Sequence, residues 1–127
     1  MKENPTTRSI GDFGEDAVCD FLVRHGYRII RRNFTVRGGE IDIIAEKNGT
    51  VAFVEVKTRK KGSLTEGEEA VNSAKKRHII RTAEIYMEKN MKTNEYRNCR
   101  FDVATVQVSD KKVTHLRYYV NAFDASK

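Results

Sequence analysis

The residues best placed to do chemistry lie between Gly38 and Lys57, in the run GGEIDIIAEKNGTVAFVEVK. Asn48-Gly49 suits a two-residue type I′ turn, because both central positions of that turn need φ > 0. Such a turn sets Lys47 opposite Thr50, Asp42 opposite Glu55 and Glu40 opposite Lys57. Alternation along the strands then predicts those four far-end charged side chains (Glu40, Asp42, Glu55, Lys57) on one face. Ile41, Ile43, Ala45, Ala52, Val54 and Val56 fall on the other. Like charges directly opposed across a strand pair destabilise it. A divalent cation removes that penalty, and hard carboxylate oxygens suit Mg²⁺ or Mn²⁺.

Asp42 and Glu55 are the expected metal ligands, with the backbone carbonyl of Val56 as a third protein oxygen. Waters and a substrate phosphate would complete the shell. Lys57 reaches the same volume, where an ammonium can position a water or neutralise charge developing on a phosphate. The set suits metal-assisted phosphodiester hydrolysis. The alternative is a surface ion pair between Glu40 and Lys57 with both other carboxylates solvated. The opposed carboxylates favour the site.

The elements that must hold these residues read in order along the chain. Ser9 and Asp12 form a weak capping box. Phe13, Ala17, Val18, Phe21 and Leu22 then recur at helical spacing, and Gly26 is a stop. Tyr27–Thr35, Glu40–Lys47 and Thr50–Lys57 read as three strands. Lys60–Glu69 is a polar loop, and a second helix runs from Val71 to Lys89 with Val71, Ile79, Ala83, Tyr86 and Met87 on its stripe. After a polar connection over Met91–Asn98, Arg100–Val108 and Val113–Val120 alternate as strands about a Ser109-Asp110-Lys111 turn. The fold class is α/β: a mixed sheet flanked by helices, with the fourth strand parallel to the third. Residues 1–8 form a polar tail and residues 9–127 one domain.

Two helical residues face the same region. Glu15 sits at the edge of the first helix's apolar stripe, where it either reaches the sheet as an outer carboxylate or serves the helix dipole. Lys75 falls on the second helix's buried stripe, so it either snorkels past the packing edge or points at a phosphate. Asp102 begins a strand whose same-face residues are Ala104, Val106 and Val108, and an internal ion pair with an arginine is its better account. His25, His78 and His115 share no spacing.

Lys and Arg total 24 against 18 Asp and Glu, a net +6. That balance favours a polyanion, nucleic acid before membrane. Arg31, Arg32, Arg37, Arg59, Lys60, Lys61, Lys75, Lys76 and Arg77 flank the charged end of the hairpin as candidate phosphate contacts. Cys19 and Cys99 lack metal-ligand spacing and are expected reduced, in or near the core. No apolar leader or membrane-length run is present, and the expected compartment is the cytoplasm.

Asp42, twelve intervening residues and Glu55-Val56-Lys57 resemble the PD-(D/E)xK nuclease superfamily, with isoleucine in place of the proline before the aspartate. GEDAVCDFLVRHGYRIIRRNF, GGEIDIIA, FVEVKTR and RFDVATV resemble the YraN family of bacterial proteins across Gly11 to Phe123. The resemblance implies a restriction-endonuclease-like core of helix, three-strand meander, helix and strand. It implies Asp42 and Glu55 as metal ligands, Lys57 as the catalytic lysine and Glu15 as the acidic residue of the first helix in related Holliday-junction resolvases. The reading these residues support is a small metal-dependent nuclease acting on DNA of structured or branched form, as a homodimer like those resolvases. Two other functions fit the same residues: a nucleic-acid-binding module without turnover, and a scaffold for repair or recombination proteins.

Overall fold

The computed structural model describes residues 10–61, 72–90 and 98–123. Helix α1 (Ile10–Arg24) leads into strands β1 (Arg28–Val36), β2 (Gly39–Lys47) and β3 (Thr50–Lys60). Helix α2 (Ser73–Asn90), β4 (Asn98–Ser109) and β5 (Lys112–Phe123) follow. The five strands form one sheet in the order β1-β2-β3-β4-β5, antiparallel throughout except for the parallel β3–β4 pair that brackets α2. This is the helix–three strands–helix–strand order of the restriction-endonuclease-like core. Ser9, Val71 and most of the predicted 60–69 loop and 91–98 connection lie outside the described residues.

α1 ends where the sequence places its stop. Gly26 takes φ +90, and the Tyr27 N–H reaches back to the Leu22 carbonyl at 2.9 Å, closing a Schellman cap. α2 begins on Asn72, whose side chain accepts the Lys75 N–H at 2.9 Å. Of the three two-residue hairpin turns, Arg37-Gly38 has positive φ at Gly38 alone, 86°; the other two have it at both positions, Asn48 and Gly49 at 51° and 81°, Asp110 and Lys111 at 52° and 63°. Those values match the right-handed twist of the flanking strands.

The helices cover opposite faces. Val18 and Leu22 of α1 bury against Ile43, Ala45, Ala52, Val54, Ala104, Val106 and Val108. Ile79, Ala83 and Tyr86 of α2 bury against Phe34, Ile41, Ile44 and Phe53. Both faces of the hairpin are therefore apolar at its turn end, and each fully buried aliphatic or aromatic side chain there contributes about 1.5–3 kcal/mol.

α1 sits close on β3 because Gly14 has no side chain. A Cβ at Gly14 would lie 2.0 Å from Thr58 Oγ1 and 3.1 Å from Thr58 Cβ. Threonine is stiff at χ1 and cannot swing clear. Gly14→Ala gains up to about 1 kcal/mol in helix propensity, yet overpacking of this kind costs about 1–3 kcal/mol. A net loss of stability by chemical denaturation is expected, partly restored in Gly14→Ala/Thr58→Ala. Full stability in the single variant would show that the helix can move off the strand freely.

Candidate metal centre and its basic surround

The predicted hairpin register holds from Lys47↔Thr50 to Ile43↔Val54 and stops there. Asp42↔Glu55 and Glu40↔Lys57 are not ladder pairs. β1 explains why. Arg32 pairs with Ile43 and Phe34 with Ile41, so the two residues between them, Asn33 and Asp42, face each other across the strands. Asn33 has φ +52, a left-handed conformation that asparagine tolerates better than most residues. Sidedness inverts in both strands at this point. Ile43 belongs to the α1-side cluster, yet Ile41 joins the α2-side cluster with Phe34. Gly39 follows Ile41, since a Cβ there would meet Thr82 of α2 at 2.1 Å. Glu40 is thereby turned to the α1 side. Lys57 stays on the α2 side, because Thr58 meets Gly14 of α1. The expectation that Glu40, Asp42, Glu55 and Lys57 share one face is corrected: the kink separates Glu40 from Lys57.

The kink gives Asp42 a different task. Its Oδ2 accepts the backbone N–H of Val56 at 2.8 Å, so a carboxylate occupies the place where β2 backbone would have continued the ladder. Glu55, one residue earlier on β3, is buried and turned to the α2 side, where Lys75 Nζ lies 3.1 Å from its Oε2. Burial and, next, the Glu55 charge push the Asp42 carboxyl up to about 7 against the opposing Val56 hydrogen bond, with Glu15 and Glu40 adding to the rise. The buried Asp42 carboxyl thus resists carrying its charge beside Glu55.

A second aspartate shows the contrast. Asp102 also takes over a strand N–H, that of Asn121 at 2.8 Å, beside a register break in β4–β5. Asp102 is fully buried, but Arg100 grips it with Nε to Oδ1 at 2.9 Å and Nη2 to Oδ2 at 2.9 Å, and the Tyr118 hydroxyl donates at 2.5 Å. The predicted internal arginine pair is present. Asp102 is neutralised by the protein itself, whereas Asp42 has one N–H and an acidic neighbour. Uncompensated burial of that kind marks functional positions.

Among the described residues no group of three or more His, Cys, Asp or Glu side chains could hold a metal ion. The groups that could hold an ion at this junction are the Asp42 and Glu55 carboxylates and a backbone oxygen such as that of Val56, all hard oxygens of the kind that Mg²⁺ or Mn²⁺ takes. Glu15 pairs with Arg32 at 3.3 Å, which also meets Asp16 at 3.0 Å, and it acts on Asp42 through its charge.

The predicted basic residues divide between the two faces. Lys75 contacts Glu55, and its side chain is 47% exposed, so the ammonium can leave. Lys76 lies 5.6 Å from the Phe123 ring centre. With Arg77 they place positive charge in α2's first turn, which carries no acidic residue; that arrangement is unfavourable for the helix dipole unless an anion is near. Arg37 is exposed at the β1–β2 turn. Arg59 alternates onto the Lys57 side. Lys60 and Lys61 line a pocket with Phe13, Val108 and Lys111 beyond the end of β3. Cys19 is half-buried and free as expected; Cys99 is free but exposed, since it precedes Phe101, the first buried position of β4. The three histidines are exposed, and among the described residues no helix is long and apolar enough to cross a membrane.

Comparison with known proteins gives one result. The family model for "Uncharacterised protein family UPF0102" matches residues 14–106. A UPF0102 protein of Caldicellulosiruptor bescii is 42% identical over 91% of this chain and 98% of its own length. One from Symbiobacterium thermophilum is 42% identical over 94% of this chain and 99% of its own, and one from Persephonella marina 43% over 90% and 92%. The matched span runs from Gly14 through α1, the kinked β2, the Glu55-Val56-Lys57 strand and most of β4. The chain belongs to the UPF0102 family, the YraN family that its motifs resemble.

Proposed function

We propose that the protein is a Mg²⁺- or Mn²⁺-dependent phosphodiesterase that cuts DNA of branched or structured form. The observation that carries this reading is Asp42: a carboxyl anchored between strands by Val56 N–H and pushed up to about 7 by burial and Glu55. A cation held by Asp42, Glu55 and the Val56 carbonyl would supply Lewis acidity to the phosphate and lower the pKa of a coordinated water. Lys57, on the Glu55 side of the sheet, orients the attacking water and offsets charge on the phosphate oxygens. Lys75 releases Glu55 and turns its ammonium to the incoming strand. Two copies acting together would cut both strands of a four-way junction, and a DNA substrate places this work in the cytoplasm. A second reading rests on the Lys75–Glu55 contact: if the ammonium stays in the cation's place, the same fold binds DNA and does not cut it.

The test is a cleavage panel of linear, flapped and four-way DNA with Mg²⁺ and with Mn²⁺. Wild type cuts at least one branched form, and Lys57→Ala lowers the rate about 100- to 1,000-fold with binding retained. Binding that weakens with salt but never leads to cutting selects the second reading. Absence of any salt-sensitive DNA binding overturns both.

A further inference from the structure

Helix α2 packs chiefly on β2; on the same side of β4 and β5, Phe101, Val103 and Phe123 join its core cluster, and Thr105, Arg117 and Tyr119 lie at the edge of that cluster. The strand register places two rows there. Lys57, Thr105 and Arg117 stand side by side across β3, β4 and β5, and Glu55, Val103 and Tyr119 form the adjoining row. The facing is fixed twice over. Ala104 and Val106 on β4 belong to the α1-side core, and Leu116 and Tyr118 on β5 pack against that same core, so Thr105, Arg117 and Tyr119 turn the other way. Strands lie about 4.8 Å apart, so each row spans roughly 10 Å, starting at the proposed reaction centre.

The chemistry along these rows is selective. Arg117 is exposed, and among the described residues no carboxylate pairs with it. Tyr119 is 44% exposed, a large ring only partly covered on this side of the sheet. An arginine and an aromatic ring at neighbouring positions match one phosphate and one base. A duplex hides the flat faces of its bases within its own stack; an unpaired strand presents them.

We propose that this face of β3–β5 holds an unpaired strand of the DNA substrate, with phosphates on Arg117 and Lys57 and one base stacked on Tyr119, and leads it toward Asp42 and Glu55. The inference rests on the phosphodiesterase reading and adds the substrate's form and path. Selection for branched DNA then follows from the unpaired segment that such structures expose.

Fluorescence anisotropy with a labelled single strand and a blunt duplex of equal length, in EDTA to prevent cutting, tests it. Tyr119→Ala weakens single-strand binding by about 5- to 50-fold, within the range for loss of one base stack, and changes duplex binding less than about twofold. Tyr119→Phe keeps the ring and binds as wild type, which separates stacking from folding. Arg117→Ala weakens binding and reduces the salt slope by about one. Arg24→Ala, an exposed arginine paired with Asp20 on α1, changes neither. If wild type binds DNA and the Tyr119 and Arg117 variants match it, the path is wrong while the phosphodiesterase reading stands. If wild type binds no DNA, both fall.

Discussion

Asp42→Asn will make the cation-free protein more stable than wild type at pH 8 and will abolish stabilisation by Mg²⁺ or Mn²⁺. The sign follows from linkage. The folded protein holds the Asp42 proton up to about 7, whereas the ordinary value is 3.8. Between those values the folded state binds more protons, so the group's favourable contribution is full below its unfolded pKa and is lost as pH rises through 7. At about 1.4 kcal/mol per pKa unit the loss is capped at roughly 4 kcal/mol. Relaxation and water entry reduce this, and about 1–2 kcal/mol, or roughly 3–8 °C in Tm, is the expected gain at pH 8. Asparagine keeps an oxygen for the Val56 N–H and carries no charge, so it mimics the protonated aspartate. The advantage should therefore vanish below about pH 4, where wild-type Asp42 is neutral in both states. Wild type should recover about 2.7 kcal/mol when the cation reaches a hundred times its Kd, and the variant nothing. Cleavage in the variant should fall at least about 1,000-fold, since a ligand and not an auxiliary donor is lost. A variant less stable than wild type at pH 8 would show that the Asp42 charge is already compensated.

Asp42 also shows where sequence reasoning ends. Asn48-Gly49 specifies its turn by backbone chemistry, and five consecutive pairs follow from it without further information. The next pair fails because a left-handed residue in the neighbouring strand, Asn33, kinks β1 and carries β2 with it. Period-two alternation within β2 cannot report a kink imposed from outside. The polar Asn33 in RIIRRNFTV is the single local hint. The nearness of Asp42 to the Glu55-Val56 segment was legible from their spacing; the means, a carboxylate that accepts the Val56 N–H in place of ladder backbone, was not. Alternation within β4 and β5 gives Thr105, Arg117 and Tyr119 no neighbour on another strand; only the order β3-β4-β5 sets their rows beside Lys57. Arg100–Asp102 was legible as a kind of contact, because a buried aspartate on an apolar face needs a cation. Its partners Tyr118 and Asn121 arrive through a bulge that no pattern announces.

The largest loss of stability is expected from Asp102→Ala. Removing a carboxylate with no solvent exposure strips Arg100 of its three bonds to Asp102 and leaves the Tyr118 hydroxyl and the Asn121 N–H without an acceptor. Breaking one side of a buried pair costs about 3–5 kcal/mol, because the remaining groups keep their desolvation penalty and lose its compensation. The Arg100 side chain is 21% exposed, so partial hydration holds the loss near the lower end, about 3 kcal/mol and roughly 10–20 °C in Tm. Asp102→Asn retains an acceptor without the charge and should lose less. Arg100 also donates to the Tyr27 hydroxyl at 2.6 Å, which ties the network to the start of β1. Arg100→Met/Asp102→Ala should therefore fall well short of the sum of its single losses, the signature of a shared interaction. Additive losses would mean that the two residues act separately. Because Asp102 holds Tyr118 and Asn121 on either side of Tyr119, the same variant loosens β5 where it would carry the DNA strand. Single-strand affinity should drop in Asp102→Ala even at temperatures where the protein stays folded, while Mg²⁺ or Mn²⁺ still raises its Tm, since Asp42 and Glu55 lie on other strands.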